Sequence, residues 1–255
     1  MKTLEAGLIS AGGFSKSFLA RMPAVLRTLG PVKATSFRVA RRITNAARAG
    51  HPVETYAALG DRALLWIALP EAALDRVLRD LSAEASLARK MIVICATTRG
   101  SAALRAPGSI ATLDAIPGDE RTLVAEGHPS VLREIRRIAA DEQRKLIEIP
   151  PGAKAAYLAG AHLASNLLLP YFSAAVEMLR EAGFSRGQAT RIAEGLGARS
   201  LRSYAKAGTK AWNTATALDL HASRERDLAS IRAADPRRGR LYERAIEQAL
   251  EYFKD

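Results

Sequence analysis

Apolar residues are spaced in two ways along the chain, and the change between them falls at Pro150-Pro151-Gly152. Before it, short aliphatic runs such as Leu64-Leu65-Trp66-Ile67-Ala68-Leu69 alternate with longer stretches in which apolar positions recur every three or four residues. That alternation predicts a parallel sheet covered by helices. Strands are predicted over residues 4–9, 32–37, 63–69, 90–95, 109–113, 122–125 and 145–149, and helices over 16–29, 41–50, 74–88 and 130–143. After the double proline Ala, Leu and Arg dominate at helical spacing. One helix is predicted over 153–182, kinked near Asn166 because Pro170 lacks a backbone donor, and closed by Gly183 in a left-handed cap. Others are predicted after Ser185, over 216–233 and over 240–254. The expected fold class is α/β: a doubly wound sheet over residues 1–150, followed by an all-α domain over 151–255.

Composition leaves that picture in place and removes several functions. Hydrophobic residues make up 48% and charged residues 25%, as in ordinary globular proteins. No apolar run approaches the ~20 residues of a membrane span, and Glu5 interrupts any leader-like pattern, so a cytoplasmic protein is expected. Cys95, the single cysteine, excludes an internal disulfide and reads as core, and the scattered His51, His128, His162 and His221 suggest no metal site. The net charge of +12 raises nucleic acid as a partner. The basic residues are mostly Arg mixed with acids, as in Arg224-Glu225-Arg226-Asp227, which points to solvated helix faces instead.

The candidate chemistry starts at Ser10-Ala11-Gly12-Gly13-Phe14-Ser15, between the first strand and the next helix. A dinucleotide turn uses three glycines, for the tight turn, for close approach to the pyrophosphate and for helix–strand packing. Here only the middle one survives, as Gly12. The turn alone fits a weakened phosphate site and a plain strand-to-helix connection equally well. After the second strand no acid stands ready for a ribose hydroxyl, while Arg38, Arg41 and Arg42 follow, which favours a 2′-phosphate and hence NADP over NAD.

With these pieces in order, the chain resembles the NADP-dependent reductases that join a Rossmann domain to an all-helical domain. That superfamily includes pyrroline-carboxylate reductase, hydroxyisobutyrate dehydrogenase and ketopantoate reductase, and the likeness is to a divergent, largely uncharacterised branch of it. Further matching pieces are Leu64 through Leu74, an apolar strand ending in a Pro loop, then Ala164-Ser165-Asn166, and Glu181-Ala182-Gly183-Phe184. The resemblance implies cofactor contacts from Ser10, Gly12, Gly13, Phe14 and Ser15 at the pyrophosphate and from Arg38 and Arg42 at the adenosine phosphate. Ala68, Leu69 and Pro70 would meet the middle of the cofactor, and Thr97 the nicotinamide ribose. It places His162 where relatives carry a lysine, with Asn166 four residues on, which implies His162 as proton donor and Asn166 as orienting group. Ser165, Trp212 and Asn213 would contact substrate, and the helical domain would pair two copies.

The chain also departs from the branch. A His-Pro pair expected after the strand around Ile110–Ala115 is absent, Leu158 stands where a histidine is expected beside Tyr157, and Lys210-Ala211-Trp212-Asn213-Thr214-Ala215-Thr216 stands where a Thr-Gly-Pro segment and an Arg-Gly-Asp triplet are expected. Two functions stay open: hydride transfer from NADPH to a small carbonyl or imine compound, and non-catalytic nucleotide sensing or scaffolding on a degenerate site.

Overall fold

A computed structural model describes residues 5–212 and 227–253. Eight strands form one sheet in the order β3-β2-β1-β4-β5-β6-β7-β8. They are β1 (Ala6–Ser10), β2 (Leu29–Lys33), β3 (His51–Val53), β4 (Leu64–Ala68), β5 (Met91–Cys95), β6 (Ser109–Ile116), β7 (Asp119–Gly127) and β8 (Lys145–Glu148). Strands β1 to β6 run parallel, β7 turns back antiparallel on β6, and β8 pairs parallel with β7. The helices are α1 (Pro23–Arg27), α2 (Phe37–Ala47), α3 (Glu71–Ser82), α4 (Pro129–Asp141), α5 (Lys154–Leu163), α6 (Leu169–Glu181), α7 (Arg186–Ala207) and α8 (Pro236–Tyr252), with a further helical stretch over 227–234.

Alternate residues of each central strand feed opposite faces, as the two-residue period of a strand requires. Leu8, Trp66 and Val93 pack with Val25 of α1, Ile43 of α2 and Ile135 of α4. Ile9, Ile67 and Ile94 pack with Leu74, Leu78 and Leu81 of α3. The sheet is thus covered on both sides, and the doubly wound α/β class expected from the sequence is the class observed. Trp66 is fully buried, and its indole N–H has no partner among the described residues.

The chain folds into two compact units, Met1–Ala159 and Gly160–Asp255. The second unit holds no strand among its described residues. Gly183 there has φ 98°, and the amides of Gly183 and Phe184 reach back to Arg180 and Leu179, closing α6 as the sequence predicted. Ser185 then opens α7 with a capping box completed by Gln188. The predicted helix over 216–233 and His221 lie partly or wholly outside the described residues.

Three expected elements are corrected. The helix over 16–29 is replaced by 3-10 turns at Phe14–Lys16 and Phe18–Arg21 and by the five-residue α1. Ser17 between the turns is extended (φ −75°, ψ 154°), and Met22 is held extended before Pro23, so no continuous helix can form. The second strand begins earlier, at Leu29, and the chain leaves it before Ser36, whose hydroxyl caps α2 by accepting the Val39 amide. The long helix over 153–182 is interrupted: α5 ends at Leu163, Ser165 takes φ −133° and ψ −92°, and a 3-10 turn at Asn166–Leu168 leads into α6 with Pro170 in its first turn. Pro170 therefore starts a helix here instead of kinking one.

The β6–β7 hairpin is longer than the two short runs expected, with Gly118 at φ 81° in its tip and Gly127 at φ 141° at its far end. A Cβ on Gly127 would stand 2.4 Å from the Ile110 carbonyl oxygen. Gly127→Ala is expected to destabilise the protein by about 2–4 kcal/mol, measured by urea unfolding, because both the conformation and the space exclude a side chain.

Candidate functional site

β1 has β2 on one side and β4 on the other, so successive connections leave the sheet in opposite directions and a crevice opens at the strand ends between them. A cleft of about 430 Å³ occupies that place. Gly13, Phe14, Lys16 and Phe18 of the turn after β1 form one wall, Ala68-Leu69-Pro70 after β4 and Cys95-Ala96 after β5 form the floor, and Ile116-Pro117-Gly118 of the hairpin tip closes the far side. The buried Ser10 hydroxyl donates to the Ala68 carbonyl oxygen at 2.9 Å and so pins the two strand ends that flank the opening. An added Cβ at Gly12 or Gly13 would meet nothing within 4 Å, so the hollow beside the turn is open.

Two carboxylates tie down the segments that follow these strands. Glu71, first residue of α3, accepts the Thr97 hydroxyl and the Thr98 amide at 2.9 Å each and the Arg99 guanidinium at 2.6 Å, while Arg99 also reaches Asp75 at 2.6 Å. Partial burial pushes the Glu71 carboxyl up, but these donors together outweigh it and hold the group below the ordinary carboxylate range. Glu126, fully buried on β7, accepts the amides of Ser101 and Gly152 and the Thr112 hydroxyl, joining the segment after β5 to the turn after the double proline.

Behind Cys95 and Ala96 lies a buried ion pair, Lys154 Nζ to Asp114 at 2.5 Å. Burial raises the Asp114 carboxyl against the opposing pull of Lys154, and burial followed by Asp114 raises the Tyr157 phenol one turn along α5. Burial first, then Asp114, pushes the Cys95 thiol well above its ordinary value, so it is an inert core thiol despite its place on the cleft floor. Ala96 has φ 54°, an uncommon conformation for a residue with a side chain, and its amide donates to Leu113 O.

Of the residues expected at a cofactor, Gly13, Phe14, Ala68, Leu69 and Pro70 line one cleft. Gly12 and Ser15 sit exposed in the adjoining turn. Ser10 and Thr97 are buried, with hydroxyls committed to Ala68 and Glu71. Arg38 and Arg42 are exposed on α2, just beyond the end of β2, with no side-chain partner among the described residues. Close by, Lys33 donates to the Ala34 carbonyl and lies 5.3 Å from the centre of the Tyr56 ring.

The helical candidates are less tightly grouped. His162 is exposed in the last turn of α5, and Asn166 is exposed in the 3-10 turn beyond the interruption, so the expected i, i+4 pairing on one helix face is not formed. Ser165 donates its hydroxyl to Ala161 O at 2.6 Å. Trp212 stacks on Phe253 with ring centres 5.0 Å apart, and Asn213 lies outside the described residues. Lys16, Glu71, Asp114, Glu126 and Lys154 are not anticipated from the sequence. Pro117-Gly118 between two apolar runs is a hairpin signal that would have brought the tip to attention. The buried charges leave no such trace, because their partners are distant in sequence.

Residues 122–217 match a family model described as a domain of unknown function, DUF2520. No curated protein matches the chain. Among solved structures, a protein from Thermotoga maritima superposes with a TM-score of 0.69 at 15% identity, covering 96% of this chain and 97% of that one. An imine reductase from Myxococcus stipitatus in complex with NADP+ gives 0.68 at 12% identity, covering 96% and 93%. An imine reductase from Aspergillus terreus in complex with NADPH4 gives 0.62 at 19% identity, covering 97% and 95%. What the chain shares with these proteins over nearly its whole length is the fold, a Rossmann-type sheet followed by helices.

Because the fold holds Glu71 below the ordinary carboxylate range, its charge contributes stability that is present above that range and lost as pH falls through the folded value. Glu71→Gln is therefore expected to flatten the acid limb of the profile of melting temperature against pH, while differing from the native protein chiefly at neutral pH.

Proposed function

We propose that the protein is an NADP-dependent reductase acting on a small carbonyl or imine compound. The carrying observation is the open cleft at the reversal of strand order, with the Gly12-Gly13 hollow beside it and with Arg38 and Arg42 on α2, unpaired among the described residues. The residues present suit the group: the backbone at Gly12 and Gly13 leaves room for a diphosphate, and no acid stands between Lys33 and Arg38 to repel a 2′-phosphate. The bound dinucleotide would supply the hydride. Gly12 and Gly13 would hold the diphosphate, Arg38 and Arg42 the adenosine phosphate, and Ala68 to Pro70 the middle of the molecule. Of the neighbouring residues, Ser10 and Thr97 would act by fixing the strand ends and Ser15 by flanking the turn.

A proton must reach the substrate oxygen or nitrogen as carbon gains hydride, and His162 is its candidate donor, since a positioned imidazole can serve as a general acid. Asn166 would orient the same atom from the turn that follows α5, and Ser165, Trp212 and Asn213 would contact substrate. The solved imine reductases that share this fold support the reaction class. A second reading, nucleotide binding without turnover, is favoured by the interrupted helix between His162 and Asn166 and by the loss of the outer glycines.

The purified protein is expected to bind NADPH more tightly than NADH by fluorescence titration. Arg38→Ala should weaken NADPH about tenfold and leave NADH unchanged. Oxidation of NADPH with cyclic imines or 2-oxo acids, lost in His162→Ala, distinguishes the enzyme from the sensor; absence of binding to either dinucleotide at millimolar concentration contradicts both.

The helical unit bears large exposed apolar side chains, among them Leu163 at 63%, Leu169 at 64%, Leu196 at 58% and Leu201 at 60%. We take these side chains to contribute to pairing with a second copy, as exposed apolar surface commonly does. Sedimentation equilibrium is expected to give twice the 27.4 kDa chain mass, and Leu196→Asp with Leu201→Asp to give the single chain.

A further inference from the structure

Resting on the dinucleotide reading above, we propose that Lys16 supplies the positive charge for the diphosphate that a helix N-terminus supplies in an ordinary dinucleotide turn. An ordinary turn presents unspent helical amides and the positive end of a helix dipole to the anion. Here the chain after the glycines forms two short 3-10 turns, and the amides of Phe14, Lys16 and Ser17 are consumed within them by the carbonyls of Ala11, Gly13 and Phe14. The first α-helix starts only at Pro23, is five residues long and lacks a donor at its first position. Among the described residues no α-helix N-terminus faces the hollow, so the free amides of Gly12 and Gly13 have no helix dipole behind them.

Two cations line the cleft, Lys16 and Arg21. Arg21 is neutralised by Glu120 of the hairpin, and its carbonyl is held by Arg144. Lys16 is exposed and has no hydrogen-bond or ion-pair partner among the described residues. It therefore stands as the one uncompensated charge on the described lining, within the same turn as Gly12 and Gly13, whose amides donate to nothing among the described residues. An ammonium on a flexible stem can meet a diphosphate as a point charge. The site therefore recognises the diphosphate common to both dinucleotides at Lys16, and the 2′-phosphate that separates them on α2.

Fluorescence titration of Lys16→Met, Lys16→Arg and the native protein with NADPH and with NADH tests this directly. Lys16→Met is expected to weaken both dinucleotides by the same factor, about tenfold, and to reduce the salt dependence of binding, while Lys16→Arg retains most of the affinity. The melting temperature without ligand should be unchanged in both variants, since Lys16 holds nothing in the fold. Unchanged affinity of Lys16→Met for both dinucleotides, or a loss confined to NADPH, overturns the assignment while leaving the dinucleotide reading intact. A native protein that binds neither overturns both.

Discussion

The reversal of strand order at β1 is the constraint on which the rest depends. With β2 to one side and β4 to the other, the connections leaving these strands cover opposite faces of the sheet, and the described residues leave a gap between their first residues. The Ser10 hydroxyl bond to Ala68 fixes the width of that gap, and the hairpin tip at Pro117-Gly118 gives it a far wall. The position of the cleft thus follows from topology, and its walls from the turn after β1 and the hairpin tip.

Around this opening the protein concentrates groups that are costly to bury. Asp114 and Lys154 are desolvated together, and a pair of this kind contributes little net stability, although loss of either partner leaves an isolated buried charge. Glu126 is fully buried with three donors from separate segments, and Glu71 gathers three residues of the loop after β5. These carboxylates do for the loops what hydrophobic burial does for the strands. They fix irregular backbone, at Thr98, Ser101 and Gly152, where no repeating pattern could.

The alternation of apolar runs carried the layer architecture because both faces of the central strands are buried, which leaves continuous aliphatic segments such as Leu64–Ala68. It failed at residues 16–29, where the spacing is helical but the backbone obeys Ser17 and the proline at 23. The same competition decided the break at Ser165. The cleft-lining residues near the glycines and after β4 were legible because fold topology assigns ligands to strand ends. The buried acids were not, since each is matched by donors that only the folded sheet brings close. Lys16 leaves no trace in the sequence for a related reason: its significance arises from the helix that does not form behind it, which shows only in three dimensions.

Hydrogen–deuterium exchange with and without saturating NADPH tests the central claim most directly. The amides of Gly12 and Gly13, unbonded among the described residues, and those at the start of α2 should slow together on binding, because one ligand would span the ends of β1 and β2. Binding that leaves both segments exchanging as before, with protection elsewhere, would contradict the account.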